Sequence, residues 1–476
     1  MFLRTFAALS ERDYAWYFIG NTAFFLAMQM NIIVRGYLAY DLTGSATALG
    51  FVSVAFAIPM MIISPLAGVL SDRVNKKRLL LIGQSASGLV NLFMAVLIIA
   101  GLIEFWHLAV AAVLTGAIMS SVMPARQAIL PQLVPQHLLM NAISLQMGGM
   151  NLTRIIGPAI GGLLIAPLGV GGVYLVTFMF FVLGVLSLLP LPNHGMRSTE
   201  GREPTAFLFD LVDGFRFIGR NPMFRLLITA ALVMPLFAFP VQQILPVFAD
   251  GVFGDVFAGQ EGLALGMLMS ATGVGGLIGA FFSANISSFA HKGRLMLWGA
   301  ASMTLLFAAF GTTTMWLPIP ASYAAAIVLL VLGNVGAMIF QVTNNTVIQA
   351  KVPDEFRGRV MSVMMMSFGT MPLGVIPVSV AADAWGAPMA IVVAQVVGLG
   401  VVGLIFGISG TLRRLEVDDL ERVEMSPAQA ARLVAEGKIS REEAARLSGR
   451  VAAFASPEAI EGRRDERGHD RGHAAG

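Results

Sequence analysis

The sequence predicts an all-α membrane protein of twelve spanning helices, in two six-helix halves that repeat one another, with both termini in the cytoplasm. Three observations predict it. Of 476 residues, 56% are hydrophobic and only 12% charged, with mean hydropathy +0.77, whereas a soluble domain carries roughly 25% charged residues. The charges gather in short clusters separated by runs of about 20 to 25 mostly apolar residues, and a helix needs ~20 to cross a bilayer. Lys and Arg occupy every other loop between those runs, as the positive-inside rule requires of one side of a membrane. Together these exclude a soluble enzyme, a nucleic-acid binder and a disordered chain.

The spans are expected near 14–40, 46–70, 79–103, 106–127, 138–166 and 172–191, and then near 223–248, 262–289, 295–317, 321–349, 359–383 and 388–410. Arg73, Lys76, Lys77 and Arg78 follow the second span and Arg126 closes the fourth. Arg197, Arg202, Arg216 and Arg220 follow the sixth, Lys292 and Arg294 the eighth, and Lys351 and Arg357 the tenth. The intervening loops contain no Lys or Arg and carry Asp41, Glu104, Asp250, Asp255 and Glu261. A wrong helix count would scramble this alternation. Arg4 and Arg12 precede an apolar run too long for the h-region of a cleavable signal.

The chain divides into a first half (1–191), a linker (192–222), a second half (223–410) and a charged tail (411–476). The linker turns amphipathic through Phe207, Leu208, Leu211, Phe215 and Ile218 and is expected to form a helix on the cytoplasmic face. The tail holds 12 of the 31 basic and 13 of the 28 acidic residues. Ser426-Pro427 opens one helix there, and Ser440 with Glu443 forms a capping box for another. There is no cysteine, which removes disulfides and thiolate chemistry, and the six His are scattered. No metal, cofactor or catalytic residue is expected, and the chain is not read as an enzyme.

The two halves echo each other. Leu133-Val134-Pro135-Gln136-His137 leads into Asn141-Ala142-Ile143-Ser144, and Lys351-Val352-Pro353-Asp354-Glu355 leads into Arg359-Val360-Met361-Ser362. The basic loops Lys76 to Leu79 and Lys292 to Leu295 fall at nearly the same offset. Two same-way repeats of six helices hold a substrate between them in one large class of secondary transporters.

Several local patterns carry chemistry. The loop after the second span reads Gly68-Val69-Leu70-Ser71-Asp72-Arg73-Val74-Asn75-Lys76-Lys77-Arg78. An aspartate at a helix end can bind a neighbouring helix N-terminus or an arginine, and so latch one arrangement of the halves. Lys76, Lys77 and Arg78 are read as positive-inside anchors. The fifth span carries Gly157-Pro158-Ala159-Ile160-Gly161-Gly162, whose small residues permit close helix contact and whose proline permits a bend.

Arg35 and Arg154 are the two cations of 31 that fall outside the inferred cytoplasmic segments. Burying either in the membrane costs at least ~2.5 kcal/mol, so it should face the interior or a water-filled cavity. Arg35 has Asn31 one turn before it, and the alternative for it is snorkelling to the outer surface. Arg154 shares a face with Asn151, Met147 and Ser144, and either contacts substrate or braces its helix. Asn334, Met338, Gln341, Asn345 and Gln349 make one polar face of the tenth span, and Gln242 and Gln243 lie between Pro240 and Pro246 in the seventh, an expected irregular segment. Every Asp and Glu lies near a helix end, so no coupling carboxylate stands out.

The loop at 68–78 resembles the loop motif of the major facilitator superfamily, Gly-x-Leu-x-Asp-Arg-x-Gly-Arg-Lys, with Asn75 for the second glycine. Asn is the residue next most tolerant of a left-handed turn. The 157–162 stretch resembles the end of that superfamily's antiporter motif, in which two further upstream glycines are here Thr153 and Ser144. Pro124 to Pro131, Leu133 to Pro135, Asn141-Ala142, Asn151 to Gly162, Leu42 to Ser45 and Arg357 to Ser362 are similar to the enterobactin-exporter and macrolide-efflux branch.

The resemblance covers about residues 15 to 410. It implies export of a small amphipathic compound, drug or siderophore-like, by alternating access and proton antiport, by a monomer in the bacterial inner membrane. Membrane lipid and protons are the other implied partners, and nucleic acid is not one. It implies a cavity lined by Asn31, Arg35, Asn151, Arg154, Gln242, Asn334, Gln341 and Asn345. It further implies a cytoplasmic gate of Gly68, Asp72, Arg73, Arg126 and Arg359. A facilitated importer and a non-transporting scaffold acting through its tail are the alternatives.

Overall fold

The computed structural model describes residues 6–192, 216, 218–219, 222–255, 257, 259–285, 291–352, 360, 363–364 and 371–408, without the side chains of 64–73, 222, 284–285, 372 and 408. The tail at 411–476, most of the 192–222 linker, Arg359 and the side chains of Gly68, Asp72 and Arg73 lie outside it. Within the linker, residues 216 and 218–219 are helical.

The described chain is helical throughout, the one solution that satisfies backbone groups within a single segment crossing lipid. The helices are α1 Arg12–Thr43, α2 Ala46–Arg73, α3 Lys76–Ile99, α4 Phe105–Leu133 and α5 Leu139–Leu188, then α6 Pro222–Val233, α7 Pro235–Gln243, α8 Glu261–Asn285, α9 Lys292–Trp316, α10 Ile319–Lys351, α11 Val375–Trp385 and α12 Ala387–Ile408. Among the described residues, ten helical runs are long and apolar enough to cross a membrane.

One of the ten, Gln136–Leu188, has 53 residues, or ~80 Å of helix against a ~30 Å hydrocarbon core. It breaks at Gly169, whose φ of 66° and ψ of 173° no helix contains, into arms 139–168 and 170–188. These arms cover the residues of the expected fifth and sixth spans and are joined without a loop. The seventh is α6, α7, a turn at Leu245–Val247 and a π-turn at Phe248–Val252. Pro235, Pro240 and Pro246 each remove a backbone donor there, so the irregularity expected between Pro240 and Pro246 is present.

Helix ends are fixed by individual residues. Gly44, at φ 63°, ends α1 in the left-handed region and returns its N–H to the Tyr40 carbonyl at 2.7 Å. Asn75 does not take the left-handed turn expected of it. It sits at φ −57° and caps α3, its side chain accepting from the Arg78 N–H at 3.2 Å. Lys77 Nζ donates to the carbonyls of Leu189 (2.8 Å) and Leu191, placing a cation on the C-terminal end of the second arm of α5. This anchor is therefore also a helix cap.

The polarity of α3 shows what surrounds the bundle. Leu80, Gly83, Gln84, Ser87, Gly88 and Asn91 face inward and are buried, Gln84 completely. Ile82, Leu89, Phe93 and Val96 form the opposite stripe and are more than half exposed. A helix polar inside and apolar outside belongs in lipid. The chain is a multi-pass membrane protein.

Packing partners recur on the two sides of the linker. A Cβ on Gly116 of α4 would lie 2.1 Å from the Phe56 carbonyl oxygen of α2, and one on Gly275 of α8 would lie 2.2 Å from the Val331 carbonyl oxygen of α10. Likewise α3 meets the second arm of α5 through Gly88 and Phe181, and α9 meets α12 through Gly311 and Pro388. One buried cluster, including Tyr14, Tyr17, Phe24, Met119 and Phe181, lies wholly before residue 192. A second, including Met30, Leu49, Ile165, Phe248, Leu268 and Val378, joins helices from both sides of the linker.

Candidate functional site

The helices turn at two ends. One carries Asp41, Glu104, Asp250 and Glu261, and the other Lys76, Lys77, Arg78, Lys292, Arg294 and Lys351; they are called here the acidic and the basic end. The contacts between helices before and after the linker gather toward the acidic end. At Gly162 of α5 a Cβ would lie 2.2 Å from the Gly262 carbonyl oxygen and 2.7 Å from Gly266 Cα in α8. Ser270 Oγ of α8 donates to the Ile155 carbonyl at 3.1 Å. A Cβ on Gly273 would lie 3.1 Å from the Arg154 carbonyl oxygen, which Pro158, lacking an N–H, leaves without its helical donor.

Thus Gly262, Gly266, Ser270 and Gly273 form a ladder of small residues facing the 154–165 segment. Gly36 of α1 sits close to Pro246, and Gly50 of α2 against Ile376 and Ser379 of α11. Nothing in the sequence paired these positions. The Gly262-x-x-x-Gly266 spacing was the available signal for the α8 ladder.

Toward the basic end the same face of α5 is open. Met140, Ser144, Met147 and Arg154 are exposed and Asn151 is half-buried. On α10, Val342, Asn345, Thr346, Gln349 and Ala350 line a wide-open pocket. Gln341, on the same helix, is exposed. Arg154 has no ion-pair partner among the described residues.

The other expected cavity residues are placed differently. Asn31 donates its amide to Asn91 Oδ1, tying α1 to α3. Gln242 donates to Asn334 Oδ1 at 3.3 Å, joining α7 to α10, and Asn334 is buried with its own amide on the Leu330 carbonyl. Arg35 is half-buried, with its guanidinium carbon 5.0 Å from the centre of the Phe56 ring, a cation–π contact within the first half. It does not snorkel free of the bundle.

Arg126 departs furthest from its expected surroundings. The sequence places it in the basic loops at the end of the fourth span. The helix instead runs on through Pro124 and Pro131 to Leu133, leaving Arg126 about two turns inside it and 2% exposed. Its Nη1 donates to Asn21 Oδ1 at 2.8 Å, its guanidinium lies 3.6 Å from the Phe24 ring centre, and its carbonyl accepts from the Tyr17 hydroxyl at 3.0 Å. Among the described residues, Nε and Nη2 have no hydrogen-bond partner. A buried cation left partly unsatisfied in a membrane helix is costly.

In the 157–162 motif, Gly157 and Gly161 face Gln29 and Met30 of α1, and Gly162 faces α8. The motif thus sits where one helix of the first half meets both its own neighbour and the second half.

Residues 3–439 match the family model described as transmembrane secretion effector. The chain belongs to this family of the major facilitator superfamily. Among the relatives of this major facilitator transporter, the multidrug efflux pump Tap of Mycolicibacterium fortuitum is 29% identical over 75% of the chain and 86% of its own length. The staphyloferrin A transporter of Staphylococcus aureus is 26% identical over 78% and 90%. The enterobactin exporter EntS of Escherichia coli is 28% identical over 68% and 70%. A bacterial homologue of the lysosomal transporter Spinster, solved inward-facing and unoccupied, superposes with a TM-score of 0.66 at 14% identity, over 86% of this chain and 98% of that one, which establishes the shared fold. The family and these relatives are transporters, so the chain acts on a small-molecule substrate.

Proposed function

We propose that this transporter exports a small amphipathic compound bearing anionic or strongly polar acceptor groups across the bacterial inner membrane. The observation that carries this reading is Arg154, exposed on the α5 face it shares with Met147, Asn151 and Ser144 and with no acidic partner among the described residues. An arginine offers a planar fork of donors suited to carboxylate or phenolate-type oxygens. On the same face of α5, Met147 and Met140 lie about two and four turns toward the basic end and supply an adaptable apolar wall, and Asn345, Thr346 and Gln349 offer polar groups on α10. The relatives named for drug efflux and for siderophore transport agree with an amphipathic cargo.

In this reading the basic end is cytoplasmic, so the described form is closed outside and open inside. Twelve spans form the two halves, 1–191 and 223–410, joined by 192–222 and followed by the 411–476 tail. The carrier works as a lipid-embedded monomer, alternating access by proton antiport. Asp72, with Gly68 and Arg73, latches the cytoplasmic side in the opposite state against the 359–362 region, including Arg359. Arg126 is the buried cation that this latch engages, and its two free nitrogens suit a carboxylate.

Arg154→Ala is expected to lower substrate-dependent efflux at least tenfold, the scale of losing a hydrogen bond to a charged group. Arg154→Lys should retain part of it, because charge remains but the fork is lost. Efflux of a panel of dyes, antibiotics and iron-free siderophores from a strain lacking its own pumps measures this. Unchanged export of every compound by Arg154→Ala would remove the assignment.

A further inference from the structure

The first turn of α2 is capped by a residue from the far half of the chain. Asp383, in the last turn of α11, accepts from the Ser45 hydroxyl at 2.6 Å through Oδ2, from the Ala46 N–H at 2.6 Å through Oδ1, and from the Thr47 N–H at 2.9 Å through Oδ2. Ordinarily a side chain next to the helix start satisfies those orphan donors. Here one carboxylate more than 330 positions away in sequence does so.

We propose that Asp383 is a positioning residue of the transport cycle, holding the acidic end of the bundle shut by capping α2. Three features support this. A carboxylate in the last turn of a helix opposes that helix's own dipole, so the position is unfavourable for α11 taken alone and is compensated only by the N-terminus of α2. The acidic-end loops contain no Lys or Arg that could serve as its partner instead. Gly50, one turn further along α2, lets the two backbones approach, since a Cβ there would lie 3.3 Å from Ile376 Cα.

The contact is also built to let go. Ser45 occupies the N-cap position of α2, where serine is among the preferred caps. In the described state its hydroxyl is directed to Asp383. When α11 moves away, the same hydroxyl can turn back onto the α2 backbone, so opening exchanges a cap from α11 for a local one. The other end of α2 carries Asp72. On the gate reading proposed above, one helix would then be held at opposite ends in the two states.

The chain has no cysteine, so introduced cysteines are unique labelling sites. Leu102 and Leu317 are exposed at the acidic end, one in each half. Spin labels at Leu102→Cys and Leu317→Cys in the full-length transporter, reconstituted in lipid nanodiscs, report the separation of the halves there. Asp383→Asn should move the populations toward the longer distance by about five- to tenfold, the size expected from losing the negative charge and one acceptor oxygen at a helix start. Asp72→Asn should move them the other way. Should Asp383→Asn not fold, Ser45→Asp, which places a competing carboxylate on α2 itself, should give the same lengthening. An unchanged distance distribution in Asp383→Asn or Ser45→Asp overturns the proposal. A shift in Asp383→Asn with none in Asp72→Asn would uphold the latch and remove only the gate reading.

Discussion

Gly162→Ala is expected to cut transport by about 5- to 150-fold, while Gly161→Ala beside it stays within about twofold of the parent. The two glycines adjoin in the same motif but meet different surroundings. At Gly162 a methyl group would come 2.2 Å from the Gly262 carbonyl oxygen and 2.7 and 2.8 Å from the Gly266 backbone. All of these are main-chain atoms of a helix in the other half, and none can move aside as a flexible side chain can. At Gly161 the nearest atom would be Met30 Cα at 3.4 Å, an ordinary contact. Overpacking of this kind costs about 1–3 kcal/mol. Here it falls selectively on the state in which α5 and α8 touch. Efflux assays on the two single variants, normalised to membrane protein level, check this. Equal loss in both would mean the motif acts as local helix packing and not as the seam between halves.

Arg126→Met should abolish transport while leaving the protein as stable as the parent, or more so. Arg126 is buried, with two guanidinium nitrogens unsatisfied among the described residues, and replacing buried charges by apolar side chains of similar size is neutral or stabilising by about 1–4 kcal/mol. Methionine keeps the length that fills the space beside Phe24. If the cation serves the proposed gate, removing it takes away an interaction made in only one state of the cycle, and flux should fall at least tenfold. Thermal unfolding of purified protein and efflux in cells are the paired measurements. A variant that transports normally would make Arg126 a structural tie to Asn21, and one that unfolds more easily would show that this hydrogen bond outweighs the desolvation.

Membrane character, helical class and the branch of the superfamily were legible because they rest on local and repetitive signals: apolar run length, the alternation of Lys and Arg, and the 68–78 and 157–162 motifs. What the sequence hid was pairing at long range. The bond between Asp383 and the start of α2 joins residues with no common pattern, and Asp383 reads only as one more acid near a helix end. Arg126 was misplaced for a definite reason. Pro131 lies just past the expected end of the span at 127 and a proline commonly ends a helix, but membrane helices tolerate proline where neighbouring helices satisfy the freed backbone groups, and α4 continues to Leu133. Asn31 and Asn334 lie on polar faces as expected, yet their amides hold helices together through Asn91 and Gln242. An amide stripe alone does not separate a lining residue from an interhelical bond. Arg154 stands out in the sequence because it is one of two cations outside the inferred cytoplasmic segments.

The most direct test of export through an Arg154-lined cavity is uptake into inside-out membrane vesicles energised by a pH gradient, with iron-free catecholate and carboxylate siderophores and a cationic dye as probes. The account predicts that at least one anionic siderophore accumulates in inside-out vesicles carrying the parent protein, that Arg154→Ala vesicles lose this accumulation, and that collapsing the gradient abolishes it. Accumulation only in right-side-out vesicles, or undiminished accumulation by Arg154→Ala, would contradict it.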